Sequence, residues 1–236
     1  MSNQKNNQTL DVNETIVKSE AFVIKYKNQI LAAVAAVVLA VGGIFAYIYG
    51  YSQPREDKAQ ELLGIAMQTY LPQEDFEHAL KGEGTTLGFE QIAKEYSSTD
   101  AGNLAKYEAG YCNFKLGKFE EAIKYLEDFD TQSDNVVSAQ ALNILANSYA
   151  NNKQLDEAVK TFKKAANATK VPALCAQYLF NAGVILDNQN KSEEALKLFQ
   201  DIKASYPTAP VCMENAFGEG ILGNAVIDKY IEKLSK

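Results

Sequence analysis

The sequence predicts an all-α protein in which a single N-terminal transmembrane helix is followed by an α-solenoid of repeated helix pairs. Residues 30–51 form an apolar run of 22 residues without a charge. At about 1.5 Å per helical residue, this run is long enough to cross the hydrocarbon core of a bilayer. Beyond residue 100, an acidic pair followed by alanine occurs three times, at intervals of 36 and 37 residues. A fixed period of this length is typical of helical repeat proteins.

We expect five segments along the chain. Residues 1–29 are predicted to be a partly disordered cytoplasmic tail, because they are polar and hold few large apolar side chains. Residues 30–51 are the transmembrane helix, and residues 52–100 form pre-repeat helices. Residues 101–207 hold three repeats, and residues 208–236 end in a helix that caps the array.

The apolar run is better explained as an uncleaved signal anchor than as a cleaved signal peptide. Secretory signals have an apolar core of about 7–15 residues close to the N-terminus, whereas here 29 residues precede a longer run. The basic residues near the run are Lys18, Lys25 and Lys27 before it, and Arg55 and Lys58 after it. The small excess before the run favours an N-terminus in the cytoplasm.

One face of the transmembrane helix carries small residues at nearly every fourth position. They are Ala32, Ala36, Ala40 and Gly43. Small residues at this spacing let a second membrane helix approach closely, which predicts a lateral membrane partner. The alternative is that alanine is simply common in such helices.

The pre-repeat segment and the C-terminus are expected to be helical between glycine and proline breaks. Helices are predicted over residues 55–70 and 89–96, with a helical turn over 76–80. A glycine loop separates the last two and contains Gly82, Gly84 and Gly88. The two longer helices are candidates for a degenerate fourth repeat, and residues 224–234 are predicted to form the closing amphipathic helix.

Small and large residues recur at fixed offsets around each acidic-then-alanine signal. A small residue lies twelve positions before the alanine and a large residue four positions after it. The three sets are Gly110, Ala122 and Leu126; Ala146, Ala158 and Phe162; and Gly183, Ala195 and Phe199. This spacing resembles the tetratricopeptide repeat, a pair of antiparallel helices termed A and B. We expect the small residues to lie where the backbones meet, and the large residue to fill the space toward the next repeat.

Charge and motif content argue against nucleic-acid binding and against catalysis. The chain has a net charge of −7, and nucleic acid and anionic lipid both attract basic surfaces. The one histidine, His78, stands near no cysteine or acidic pair with metal-ligand spacing, and the glycine loop follows no predicted strand as a phosphate loop would. We therefore expect no enzyme activity, no metal and no cofactor.

The three cysteines do not form an obvious disulfide framework, since their number is odd. Cys112 is predicted to be a small core residue. Cys175 and Cys212 are one repeat apart, and helix axes about 8–10 Å apart are marginal for a disulfide between them. Both redox states remain open.

The resemblance to tetratricopeptide repeats implies that ligand contacts come mainly from helix A. The corresponding positions are Tyr107, Tyr111 and Phe114 in the first repeat, Gln140, Asn143, Asn147 and Asn151 in the second, and Gln177, Phe180, Val184 and Asp187 in the third. The second set is a ladder of amides that can donate to and accept from a peptide backbone. The aromatic residues could hold an apolar side chain. We expect a groove for apolar or unstructured polypeptide, the alternative being a solvated wall without a ligand.

The overall layout also resembles the YfgM type of membrane-anchored repeat protein, an ancillary subunit of the SecYEG translocon, in the form found in Bacteroidetes bacteria. The stretches that carry this resemblance are EAFVIKYKNQI (20–30), LGFEQIAKEY (87–96), AGNLAKYEAGYC (101–112) and IDKYI (227–231). The resemblance implies a single-pass protein of the bacterial inner membrane with a periplasmic C-terminal domain. It implies a place beside the translocon and a PpiD-type periplasmic chaperone, where the domain helps to receive emerging polypeptides.

A different class of function is left open by the same sequence. The chain could be a structural assembly scaffold for a cell-envelope or division complex, acting through its membrane helix and convex face. In that case the candidate groove would be silent, and the small residues of the membrane helix would matter.

Overall fold

The computed structural model describes residues 12–131, 135–213 and 225–236. Its contacts divide the chain into two compact units, Met1–Pro54 and Arg55–Lys236. The fold is all-α apart from one small hairpin in the described residues, as the sequence predicts.

The first unit is dominated by one long helix. Helix α1 covers Val12–Tyr47, and a π-helical stretch continues over Ile48–Ser52. The helix begins at Val12, so residues 12–29 of the tail predicted to be partly disordered are helical. From residue 20 onward, most of its large apolar side chains are exposed, with Leu39 at 75%. In the described part of the chain, this is the one helical stretch long and apolar enough to cross a membrane.

The pre-repeat segment forms helices α2 (Gln53–Tyr70), α3 (Phe76–Lys81) and α4 (Phe89–Glu95). These bounds lie within two residues of the predicted ones. The predicted glycine loop between α3 and α4 holds an antiparallel hairpin, with strands β1 (Gly82–Glu83) and β2 (Thr86–Leu87). The chain turns there at Gly82 and Gly84, whose φ angles are 79° and 61°. Glycine adopts positive φ angles without a steric cost.

Six helices then alternate in A and B roles. The A helices are α5 (Asp100–Lys115), α7 (Val136–Asn151) and α9 (Pro172–Asn188), and the B helices are α6 (Phe119–Glu127), α8 (Leu155–Asn167) and α10 (Ser192–Ser205). Each A helix packs against the B helix that follows it, and each B helix packs against the next A helix. The hydroxyl of Tyr149 on α7 donates to the carboxylate of Glu127 on α6 and so links the first two repeats.

The repeated small and large residues are all buried, as predicted. A methyl group added at Gly110 would lie 2.5 Å from Cγ of Leu126, and one added at Gly183 would lie 2.5 Å from Cε1 of Phe199. The large residues were expected to fill the space toward the next repeat. In the first and third repeats the large residue lies directly over the glycine of its own repeat, which explains why that position has no side chain there.

Helix α2 is fixed to the first repeat through its N-terminal turn. The carboxylate of Glu56 accepts hydrogen bonds from the backbone N–H groups of Asp100 at 2.7 Å and Ala101 at 3.1 Å. These are free N–H groups in the first turn of α5, where a negative charge is stabilising. Residues of α2, α3 and α4 share one apolar core with α5. Helices α2 and α4 do not pack as closely as the A and B helices of the three repeats do, so a degenerate fourth repeat stays a prediction.

The array closes with helix α11, which covers Val226–Leu234. The predicted closing helix began at residue 224, which lies outside the described residues. Tyr230 of α11 packs against Phe199 and Phe180, with ring centroids 5.0 and 5.4 Å apart. Helix α11 therefore covers the last repeat and ends the apolar core.

Candidate peptide-binding groove

The predicted contact positions lie on the three A helices, and we call the surface that they form the inner wall. Helices α5 and α7 contact each other directly. Most of the predicted residues on this wall are exposed or half-buried. Their surroundings differ from one repeat to the next, and the three repeats are described in turn.

The aromatic residues of α5 are mainly occupied by packing within the fold. Tyr111 meets Phe76 of α3 edge to face at 5.9 Å, and Tyr107 lies 6.0 Å from Phe129. Phe114 similarly lies 5.8 Å from Phe119 on α6. Burial raises the pKa of Tyr107 to about 12, so its hydroxyl stays protonated. The exposed edges of these half-buried rings form an apolar border at the start of the inner wall.

The amides of α7 form the ladder that the sequence predicts. Gln140 and Asn151 are exposed, and Asn143 and Asn147 are half-buried. Nδ2 of Asn147 donates to the backbone oxygen of Asn143 at 2.8 Å and to its Oδ1 at 3.3 Å. Nδ2 of Asn151 donates to the backbone oxygen of Asn147 at 2.8 Å. Asn147 and Asn151 therefore use amide donors for bonds within the helix.

The third repeat contributes less to the wall than predicted. Gln177 is exposed and donates from Nε2 to Oδ1 of Asn181 at 3.0 Å. Half-buried Phe180 packs against Phe199 and Tyr230, so only part of its ring faces the wall. Half-buried Val184 packs against the same core.

The carboxylate of Asp187 is occupied by an ion pair with the C-terminal helix. Its side chain is only 8% exposed, and Lys233 of α11 binds its carboxylate at 2.7 Å. Because α11 follows the third repeat, it covers positions that a further repeat would otherwise meet. The inner wall is therefore centred on α7.

Charge is scarce on the second and third A helices, although α5 carries four charged residues. Helix α7 has no charged residue, and the only one in α9 is the paired Asp187. The B helices each begin with two acidic residues and carry lysines later. Charged residues are favourable on the solvated side of a helix and costly where they would lose water. The middle of the inner wall is thus polar but uncharged.

One buried acid on α5 was missed by the sequence analysis. Glu108 is 6% exposed, and burial raises its pKa to about 7. It stands one helical turn before the buried Cys112, and its neighbour Ala109 is fully buried. This spacing of small apolar residues was the available signal that Glu108 points into the packed face.

His78 and the cysteines have structural surroundings. Nδ1 of His78 lies 2.7 Å from the carboxylate of Asp75. The same carboxylate caps the start of α3. Its hydrogen bond and negative charge raise the pKa of the His78 imidazole. Cys112 is fully buried, as predicted for a core residue. The thiol of Cys175 contacts the backbone oxygens of Ala166 and Thr169, at 3.2 and 3.3 Å. Within the residues described, no three metal-ligating side chains come together.

The small-residue face of α1 is open along the described helix. Ala32, Ala36, Ala40 and Gly43 are all exposed. A methyl group added at Gly43 would meet nothing within 4 Å. The structure therefore leaves room for a neighbouring helix at this face.

Comparison with known families agrees with the repeat geometry. Residues 104–132 and residues 145–210 match family models described as tetratricopeptide repeat. The chain therefore carries tetratricopeptide repeats, which are typically non-catalytic modules for binding other proteins. No curated protein matches the chain.

Proposed function

We propose that this chain is a non-catalytic interaction module of the bacterial inner membrane, anchored by α1 with its N-terminus in the cytoplasm and its repeats in the periplasm. It associates with the SecYEG translocon and a PpiD-type periplasmic chaperone, and it helps to receive emerging polypeptides. It requires neither a cofactor nor a metal. Residues 52–100 serve as the pre-repeat part of this module, and residues 208–236 serve as its cap.

The observation that carries this proposal is an uncharged inner wall in a repeat array that follows a candidate membrane helix. Such an array is suited to holding another polypeptide, because its wall offers amides and apolar edges rather than catalytic groups. A membrane anchor keeps the array close to chains that cross the same membrane. The choice of the translocon as the partner rests on the layout shared with the YfgM type.

Co-purification from native membranes in a mild detergent tests the proposal. The wild-type chain is compared with a variant in which residues 30–51 are replaced by an unrelated transmembrane helix, and partners are identified by mass spectrometry. We expect translocon subunits and a periplasmic chaperone with the native chain. Their absence from both preparations would end the translocon proposal.

A second candidate function is favoured by the open small-residue face of α1. A structural scaffold would assemble an envelope or division complex through this face, because small residues allow helices to pack closely in lipid. Replacing Ala36 and Ala40 by leucine should then release the partners, while changes at the inner wall have no effect. Retention of all partners by this double variant would exclude the scaffold function.

A further inference from the structure

We propose that a cleft lined by helices α4, α5 and α6 binds a small organic anion, in which a carboxylate or phosphate group is attached to an apolar body. We call this cleft the lysine cleft, after the three lysines Lys94, Lys106 and Lys124 that line it. None of the residues assigned to the inner wall lines the lysine cleft. The inference therefore goes beyond the proposed function and adds a second, separate binding site to the repeat unit.

The first observation is the size and apolar surface of the lysine cleft. Its volume is about 410 Å³, and sites for small molecules usually enclose about 300–1,000 Å³. Ala93 and the half-buried ring of Tyr125 line it, and the aliphatic stems of lysines also offer apolar surface. A body of the size of a phenyl ring can therefore be covered there.

The second observation is that each of the three helices contributes one lysine to the cleft. Lys94 lies on α4, Lys106 on α5 and Lys124 on α6. Lys94 and Lys124 are exposed. In the part of the chain that the structure describes, neither of these two forms an ion pair or a hydrogen bond. Two unneutralised ammonium groups thus border one cleft in a chain whose net charge is −7, and such a pair attracts an anion.

The third observation is a buried ammonium group with a donor to spare. Lys106 is only 9% exposed. Its Nζ donates to the backbone oxygen of Asp128 at 2.9 Å and lies 2.9 Å from the carboxylate of the same residue. An ammonium group has three N–H donors, and within the described residues the third has no partner. Because Lys106 lines the cleft, an oxyanion bound there can accept this third hydrogen bond.

The acids that line the cleft are already engaged inside the protein. The carboxylate of Asp128 is paired with Lys106. Burial, together with the charge and the hydrogen bond of Glu90, raises the pKa of Tyr125, so the Tyr125 hydroxyl stays protonated and donates to Glu90. Each acid therefore has its donor, whereas two of the three lysines have no acid. An oxyanion gains from this excess of positive charge, and a neutral or cationic molecule does not.

Binding of fluorinated probes to the full chain in dodecyl maltoside, a detergent without charge, tests the inference. The oxyanion probes are para-fluorobenzoate and para-fluorophenyl phosphate. The matched probes are the neutral para-fluorobenzyl alcohol and the cation para-fluorobenzylammonium. Fluorine NMR in Tris chloride measures each Kd, with empty micelles as the background. We expect the oxyanions to bind with a Kd of about 1 mM or tighter, and the matched probes to bind about tenfold more weakly. Raising NaCl from about 50 to about 500 mM should weaken oxyanion binding about fivefold.

Charge variants identify the residues that hold the oxyanion. Lys94→Gln combined with Lys124→Gln removes the unpaired charges, and we expect about tenfold weaker binding of both oxyanions. Lys197→Gln is the matched control and should change nothing, because Lys197 is exposed at the corresponding position of α10. Glu90→Gln removes a negative charge from the cleft and should tighten binding about twofold at low salt. Lys106→Met should weaken binding more than tenfold. Since Lys106 also holds Asp128, far-UV circular dichroism checks its fold, and the exposed lysines carry the test.

Binding of the oxyanions that depends on Lys94 and Lys124 supports the inference. Equal binding of the alcohol and the benzoate, or an unchanged Kd in the double variant, would overturn it. So would the absence of binding by either oxyanion at about 10 mM. An acetylated peptide with two glutamates tests whether the same carboxylate chemistry is supplied by a protein. A tighter Kd for this peptide than for the benzoate would overturn the assignment of a small molecule as the ligand.

Discussion

Replacing Gly183 by alanine tests the close contact between α9 and α10. The added methyl group would lie 2.5 Å from Cε1 and 2.7 Å from Cζ of Phe199, whereas carbon atoms in ordinary contact are about 3.5–4.0 Å apart. The ring must therefore move by about 1 Å. It is fully buried and touches the rings of Phe180 and Tyr230, so there is little room for this movement. Overpacking of this kind costs about 1–3 kcal/mol.

The same substitution at an uncrowded glycine isolates the packing cost. Gly64 lies within helix α2, and a methyl group added there meets nothing within 4 Å. Alanine is favoured over glycine in helices by about 1 kcal/mol, so Gly64→Ala should raise the free energy of unfolding by up to this amount. Gly183→Ala gains the same term but adds the clash, so the two variants should differ by about 1–3 kcal/mol.

Urea unfolding of the full chain in nanodiscs, followed by far-UV circular dichroism and tyrosine fluorescence, measures both variants. Phe199→Leu serves as a second-site change, because a smaller side chain leaves space for the new methyl group. We expect Gly183→Ala to cost at least 1 kcal/mol less in the Phe199→Leu background than in wild type. If Gly183→Ala stabilises the chain as much as Gly64→Ala does, the close contact is not a constraint on this fold.

Three further predictions concern buried and capping groups. Burial raises the pKa of Glu108 from 4.5 to about 7, so its stabilising effect is complete below pH 4.5 and is lost as the pH rises through 7. In urea unfolding at pH 8, Glu108→Gln should therefore be more stable than wild type by up to about 3 kcal/mol. At pH 4.5 the two proteins should have similar free energies of unfolding. No difference at pH 8 would contradict the burial of this acid. Glu56→Gln should lower the free energy of unfolding by about 1 kcal/mol, because it weakens the cap on α5, and an unchanged urea midpoint would contradict this. Cys112 should react with a thiol reagent far more slowly than Cys212, since burial raises its pKa to about 12, and equal rates would refute this.

Local sequence patterns predicted most of the helices. The offsets between Gly110, Ala122 and Leu126 place small and large residues on facing sides of two helices, and the structure buries all three. The hairpin between α3 and α4 was missed because its strands are only two residues long, too short to show an alternating pattern. The early start of α1 was missed because its first turns are polar, and polarity without a clear apolar face is also typical of disorder.

The inner wall was predicted only in part. Helical spacing identified the face that carries Asn143, Asn147 and Asn151, because residues one turn apart lie on one side of a helix. It did not reveal that Phe180 packs against Tyr230, which lies fifty residues further along the chain. Nor did it reveal that the amide donors are bonded within α7, because both the rotamer and the partner of an amide are set by its surroundings.

The sequence by itself determined that this chain has a candidate membrane helix and tetratricopeptide repeats, because composition and periodicity are properties of neighbouring residues. Only the tertiary structure decided which faces of those repeats remain open. Helix α3 covers Tyr111, helix α11 covers Phe180 and pairs with Asp187, and the amides of α7 remain as the middle of the wall. These outcomes depend on contacts between residues far apart in the chain, and such contacts form only when the helices stack.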